Sequence, residues 1–180
     1  IDNIKKIIKD FRKLKVCVLG DLIIDEYIFC NTLGVSSEEP ALAVSPQYRY
    51  KYLGGAGIVA AHSSALGANV DLISIAGNDK EYNFAKSELI KIGVKPKIFI
   101  DSNRPTTLKQ RYRSDDKTLL KVSHLHQSSI SKDLQKEIIK KVEKKIKSYD
   151  LIIFSDFNYG CLPQSLVDQI TKLGIKNKKI

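Results

Sequence analysis

Two periods of apolar and polar residues run along this chain, and the predicted elements follow from where each one holds. Ile4, Ile7, Ile8 and Phe11 recur at helical spacing among Lys and Asp, which predicts an amphipathic opening helix over 1–14. Lys15-Val-Cys-Val-Leu-Gly20 is instead a short continuous apolar run closed by Gly and Asp, the pattern of a strand buried on both faces. Asn69–Gly77, Pro96–Ile100 and Asp150–Ser155 read as further strands of this kind. Between them the period lengthens. A small-residue helix is predicted over Ile58–Leu66 and stops at Gly67; another spans Lys80–Ile92, with Phe84, Leu89 and Ile92 inward and Gly93 as its stop. Ser131 caps a long helix carrying Leu134, Ile138, Val142 and Ile146 at i, i+4 steps, and Pro163 opens a last one through Leu173. Strands alternating with helices call for an α/β domain of three layers, a parallel sheet with helices on both sides.

Two excursions break the alternation. Residues 31–51 are too polar for a strand covered on both faces, and Ala41–Tyr50 alternates patchily, as in a small outlying sheet. Within 103–123, Thr106–Tyr112 and Thr118–Ser123 read as a hairpin turning at Ser114-Asp-Asp-Lys117. Together they would form a β lid. Ahead of them, Leu22–Cys30 is apolar but carries Asp25 and Glu26, and acids within such a run need a reason.

Composition narrows the class. The 180 residues suffice for one ordinary domain or most of a larger one. No Met occurs, even at position 1, and Leu173–Ile180 reads as a helix end, a polar turn and the start of another strand, so the chain is expected to be trimmed at both ends. The formal net charge of +10 is carried mostly by Lys spread over helix faces. Nucleic-acid recognition leans on Arg and aromatic platforms, so the excess reads as solvated surface and no nucleic-acid partner is expected. Cys17, Cys30 and Cys161 have no metal-binding spacing and read as reduced thiols of a cytoplasmic protein. No apolar run approaches the ~20 residues that span a bilayer, so no membrane partner is expected.

Candidate chemistry collects at the carboxyl ends of the predicted strands, where open α/β sheets bind ligands. Asp21 follows the first strand, Asn78 and Asp79 another, and Asp156 and Asn158 the late one. Carboxylates there could accept hydrogen bonds from sugar hydroxyls, and each taken singly could equally be a turn or cap. Gly54, Gly55 and Gly57 lead into the small-residue helix, which is either a tight turn or a close-approach site at a helix start. Lys109, Arg111 and Arg113 alternate with Leu108, Gln110 and Tyr112, so a strand would put the cations on one face, for a phosphate or for solvent. His62, His124 and His126 are scattered and form no metal triad, and nothing resembles a nucleophile with its base.

Val18-Leu-Gly-Asp-Leu-Ile-Ile-Asp-Glu-Tyr27, Ser36-Ser-Glu-Glu-Pro40, Leu53-Gly-Gly-Ala-Gly-Ile-Val-Ala60, Ala65-Leu-Gly-Ala68, Ala76-Gly-Asn-Asp79, Arg104-Pro-Thr-Thr-Leu-Lys-Gln-Arg111 and Phe154-Ser-Asp-Phe-Asn-Tyr-Gly160 together resemble the ribokinase-like carbohydrate kinases. The branch they resemble most is the kinase domain of bacterial heptose-7-phosphate kinase and ADP-heptose synthase proteins. The resemblance implies a three-layer ribokinase-like fold with a small β lid, here without its C-terminal part. It also implies phosphoryl transfer from ATP, with Mg²⁺, to a sugar or sugar-phosphate hydroxyl, and a homodimer joined through the lid strands. Carried over, Asp21 and Asp25 would hold sugar hydroxyls, Gly54 and Gly55 would floor the sugar site, Lys109 and Arg111 would meet the substrate phosphate, and Asp156 would sit at the inner edge of the cleft.

Ile58 departs from the family's usual Asn and removes an amide from the sugar site. The family's Gly-Ala-Gly-Asp motif, which carries the catalytic base and the anion hole, does not occur in these residues, so this chain alone is expected not to catalyse. A non-catalytic sugar-phosphate-binding or dimerisation module is the alternative. A Rossmann dinucleotide enzyme fits poorly, because the glycine turn does not follow the first strand and lacks the G-x-G-x-x-G spacing.

Overall fold

Strand β1 (Lys15–Gly20) is the axis of the molecule, buried at every position after Lys15. In the computed structural model, which describes residues 8–179, it is flanked by β4 (Asn69–Ala76) and β8 (Leu151–Ser155). With β5 (Lys95–Ile100) outside β4 the order is β5-β4-β1-β8, and every pairing is parallel. Alternate side chains of β1 serve opposite faces, which is why the run is apolar throughout. Val16 and Val18, with Val70 and Leu72 of β4, pack on Ala56 and Ala60 of α1 (Ala56–Ala65) and Leu89 of α2 (Lys80–Lys91). Cys17 and Leu19, with Ile73 and Ile75, pack on Ile138 and Val142 of α3 (Lys132–Lys145) and Leu166 and Ile170 of α4 (Gln164–Lys176). The three-layer expectation holds.

The helix starts are fixed as their sequences predict. Ser131 accepts from the Leu134 N–H at 3.2 Å, Asp79 accepts from the Tyr82 N–H at 2.9 Å, and Pro163 stands at the cap of α4. One inward assignment fails: Ile92 is exposed, while α2 buries Glu81, Ala85 and Leu89, and Phe84 is half-buried. The helix ends at Lys91, and after the Gly93 turn Val94 takes the buried place. The first half of the expected opening helix, 1–7, lies outside the described residues; within them 8–10 are helical and Phe11–Lys13 form one 3₁₀ turn.

The second sheet starts earlier than residue 31. Strand β2 (Leu22–Val35) begins directly after Asp21, and β3 (Leu42–Gly55) runs straight into α1, so Gly54 and Gly55 end a strand. With β6 (Thr107–Ser114) and β7 (Lys117–His124) the order is β3-β2-β6-β7, β2 and β6 being parallel and the other pairs antiparallel. Leu22 and Ile24 pack on Ala76, Ala85 and Leu108, which accounts for the apolar run. Glu26 shares that covered face: its carboxylate accepts from Gln110 Nε2 at 2.7 Å and lies near Arg49 and Lys51. Asp25 points to the other face.

Cys17, Cys30 and Cys161 are free and buried, and burial pushes the Cys17 and Cys161 thiols up to about 12, beyond ready ionisation. Among the described residues no helix is long and apolar enough to cross a membrane.

Candidate functional site

The uncovered face of the second sheet, the start of α1 and the loop after β8 border an open cavity of about 690 Å³. Strand alternation assembles its wall. Asp25, Tyr27 and Phe29 of β2 stand opposite Lys109, Arg111 and Arg113 of β6 in register, and Tyr52 pairs with Asp25 from β3. All of these line the cavity, with Gly54, Gly55, Ile58 and Phe157.

Asp25 is the carboxylate of the site. It accepts a hydrogen bond from Arg111 Nη1, and that contact raises the guanidinium's pKa above its ordinary value. Gly54 makes room for it: a Cβ there would lie 2.3 Å from Asp25 Oδ2. Gly55 has φ +52°, and a Cβ on it would lie 2.2 Å from the Asp21 carbonyl oxygen, which accepts the Ala56 N–H at 2.9 Å. No side chain caps α1, so the first-turn N–H groups after that of Ala56 are left for a ligand or water beside the cavity. The Lys109 ammonium lies 4.9 Å from the Tyr159 ring centroid and 5.8 Å from that of Phe157, and has no carboxylate partner among the described residues.

Asp25, Gly54, Gly55, Lys109 and Arg111 therefore meet in one place, whereas Asp21 and Asp156 are not cavity-lining residues. Asp21 is 3% exposed. Its carboxylate is taken up by the N–H groups of Phe157 (2.8 Å), Tyr159 (3.2 Å) and Cys161 (3.1 Å), so it ties down the loop after β8. Burial raises its pKa, and those three N–H groups pull it partly back. Asp156 is exposed and accepts from its own loop's Asn158 N–H at 2.8 Å, a turn contact. Asp79 likewise serves α2 and the Thr106 N–H. The carboxylates at the strand ends of the main sheet are thus engaged by backbone N–H groups, and the one lining the cavity comes from the lid.

Arg104 is structural too. Its buried guanidinium donates to Asp101 (2.7 Å), the Tyr159 carbonyl (3.1 Å) and the Ser128 carbonyl (2.9 Å), clamping three loops beside the cavity. Sequence reasoning missed the aromatic lining of Tyr27, Phe29, Tyr52 and Phe157. Its signal was the odd-numbered series Asp25, Tyr27, Phe29, hidden inside a stretch that reads as merely apolar. His62 is exposed, and among the described residues no group of His, Cys, Asp and Glu could hold a metal ion.

Comparison with known proteins agrees with this fold. The model of the pfkB family carbohydrate kinases matches residues 13–180. The chain is 34% identical over 167 residues to the bifunctional protein HldE of Aliarcobacter butzleri, covering 92% of this chain and 35% of that protein. With the HldE protein of Helicobacter pylori strain J99 it shares 32% over 167 residues, covering 92% and 36%. Among solved structures, a carbohydrate kinase from Agrobacterium tumefaciens aligns with TM-score 0.67 at 19% identity, covering 92% of this chain and 52% of that one. Ribokinase from Arabidopsis thaliana, solved with ribose and ATP, aligns with TM-score 0.61 at 16% identity, covering 92% and 51%. The chain thus spans about a third of the length of these curated relatives and about half of the structural ones. By the family match and the architecture alike, the chain belongs to the pfkB family of carbohydrate kinases.

Proposed function

We propose that this chain is the sugar-binding part of an ATP-dependent kinase acting on a sugar phosphate, heptose 7-phosphate or a close relative. The observation that carries the reading is the Asp25 carboxylate, oriented by Arg111 and given room by Gly54, within a cavity that also presents the cations of β6. A carboxylate held this way accepts hydrogen bonds from adjacent sugar hydroxyls, while the β6 cations that outnumber it on this wall favour an anionic substrate over the neutral sugar. Ile58 lays an apolar side chain along the same wall and restricts which hydroxyl pattern fits. Asp21 and Asp156 contribute by shaping the loop after β8 at the inner edge.

ATP would supply the phosphoryl group and Mg²⁺ would neutralise its charge; the described residues do not themselves form a site for the ion. With no Gly-Ala-Gly-Asp among the 180 residues, we further propose that this chain binds substrate without turning it over. Calorimetric titration with the heptose 7-phosphate and with its dephosphorylated sugar tests the binding. The wild-type chain should bind the phosphate ester more tightly, and Asp25→Asn should weaken both ligands about tenfold or more. Binding of neither sugar by the wild-type chain would sink the reading.

A second reading, compatible with the first, has the lid also join two copies. Strands β3 and β7 are the open edges of its sheet, and Tyr48, Tyr50 and Tyr52 of β3 are all more than half exposed. Sedimentation at increasing concentration separates a homodimer from a monomer.

A further inference from the structure

The three cations on the cavity face of β6 are not equivalent. Arg111 is neutralised by Asp25. Lys109 is seated at the inner end, over Tyr159 and Phe157. Arg113 stands at the outer end, two same-face steps beyond Lys109, about 13 Å away at ~3.3 Å per residue. Its Nε is buried without a hydrogen-bond partner, and its guanidinium donates to one backbone acceptor, the Asp116 carbonyl, at 2.9 Å. It has no carboxylate partner among the described residues. The guanidinium is nonetheless held in place: it lies 5.9 Å from the Phe29 ring centroid, and Phe29 stacks on Tyr48 at 4.8 Å. A cation that is buried in part, oriented and short of acceptors is arranged for an anion that arrives from outside.

Resting on the sugar-phosphate reading above, we propose that Arg113 is the specificity-determining residue that reads the phosphate the substrate already carries. The ester then lies at the outer end of the cavity, and the hydroxyl that receives the new phosphoryl group lies inward, by Asp25 and Lys109. The side of Arg113 on which the ester binds follows from charge. Beyond Arg113 a second depression of about 350 Å³ is lined in part by Asp115 and Asp116, whose carboxylates repel a phosphate. Between Arg113 and Arg111 the cavity wall is aromatic and cationic. Lys109 and Arg113, which have no carboxylate partner among the described residues, thus stand at opposite ends of that wall. The substrate class is therefore a sugar monophosphate whose ester is remote from its reacting hydroxyl.

The test is calorimetric titration of the wild-type chain and of Arg113→Leu, Arg113→Lys and Arg111→Leu with a heptose 7-phosphate and with the unphosphorylated heptose. Arg113→Leu should weaken the phosphate ester roughly 10- to 100-fold and leave the free sugar unchanged, with Arg113→Lys intermediate. Arg111→Leu should weaken both, because Asp25 loses the group that orients it. If Arg113→Leu fails to fold, the same comparison is made between wild type and Arg113→Lys, where a loss confined to the phosphate ester is the supporting result. If the wild-type chain discriminates the ester and the Arg113 variants discriminate it equally well, the role of Arg113 is overturned while the sugar-kinase reading stands. If the wild-type chain binds neither ligand, both are overturned.

Discussion

Gly54 and Gly55 are neighbours with different tasks. At Gly55 the obstacle to a side chain is backbone, the Asp21 carbonyl, and φ is positive, so Gly55→Ala should destabilise the fold by about 1–3 kcal/mol. At Gly54 the obstacle is the end of the Asp25 side chain, so Gly54→Ala should leave stability nearer wild type and weaken sugar binding instead. Denaturant midpoints and calorimetric titration together distinguish the two. The carboxylates also differ in sign. Burial alone would push Asp79 up, but the N–H groups of Thr106, Tyr82 and Glu81 and the Thr106 hydroxyl hold it below its usual 3.8. The stability it contributes is complete above about pH 4 and is lost as the pH falls through its lower folded value. Asp21 is shifted the other way, so its contribution declines as the pH rises above 3.8 toward its folded value. Asp79→Asn should therefore flatten the acid limb of the stability curve, measured from denaturant midpoints between about pH 5 and pH 2.5. The roles of Asp21 and Asp25 were not separable in the sequence. A carboxylate after a strand is equally a ligand or an anchor, and for Asp21 the deciding contact is with Phe157, 136 residues away.

At the scale of elements, the strands and helices of the main sheet were legible because burial on both faces leaves a continuous apolar run and caps announce the helices. The extent of the lid was not. Strand β2 is covered on one face through Cys30 and exposed from Asn31 onward, so one 14-residue strand reads as an apolar run followed by a polar loop. Within the Arg104-Pro-Thr-Thr stretch the first residue acts as a clamp. Arg104 holds the loop carrying Asp101, the segment at Ser128 and the loop carrying Tyr159. Its side chain is 5% exposed, so Arg104→Ala leaves a half-buried carboxylate oxygen and two carbonyls without that donor and should cost about 2–4 kcal/mol. A urea midpoint unchanged by that substitution would contradict the clamp.

For the whole molecule, the charge of +10 describes surface more than site. Binding to a DNA duplex should be weak and largely lost by about 0.2 M salt, as counterion competition requires, whereas a sugar phosphate held inside the cavity should lose far less over the same range. Titration of both ligands against salt checks this. Two of the four chain crossings between the lid and the core adjoin, where β2 leaves Asp21 and where β3 enters α1 through Gly55, and these are linked by the Ala56 N–H on the Asp21 carbonyl. Each of the two joined strands is 14 residues long, an arm of about 45 Å at ~3.3 Å per residue. On such an arm a rotation of about 10° at the pivot would sweep the far tip, where Val35 pairs with Leu42, through about 8 Å. The wall beside Asp25 sits close to that junction and would barely shift under such a rotation, while the outer end of the lever would travel furthest.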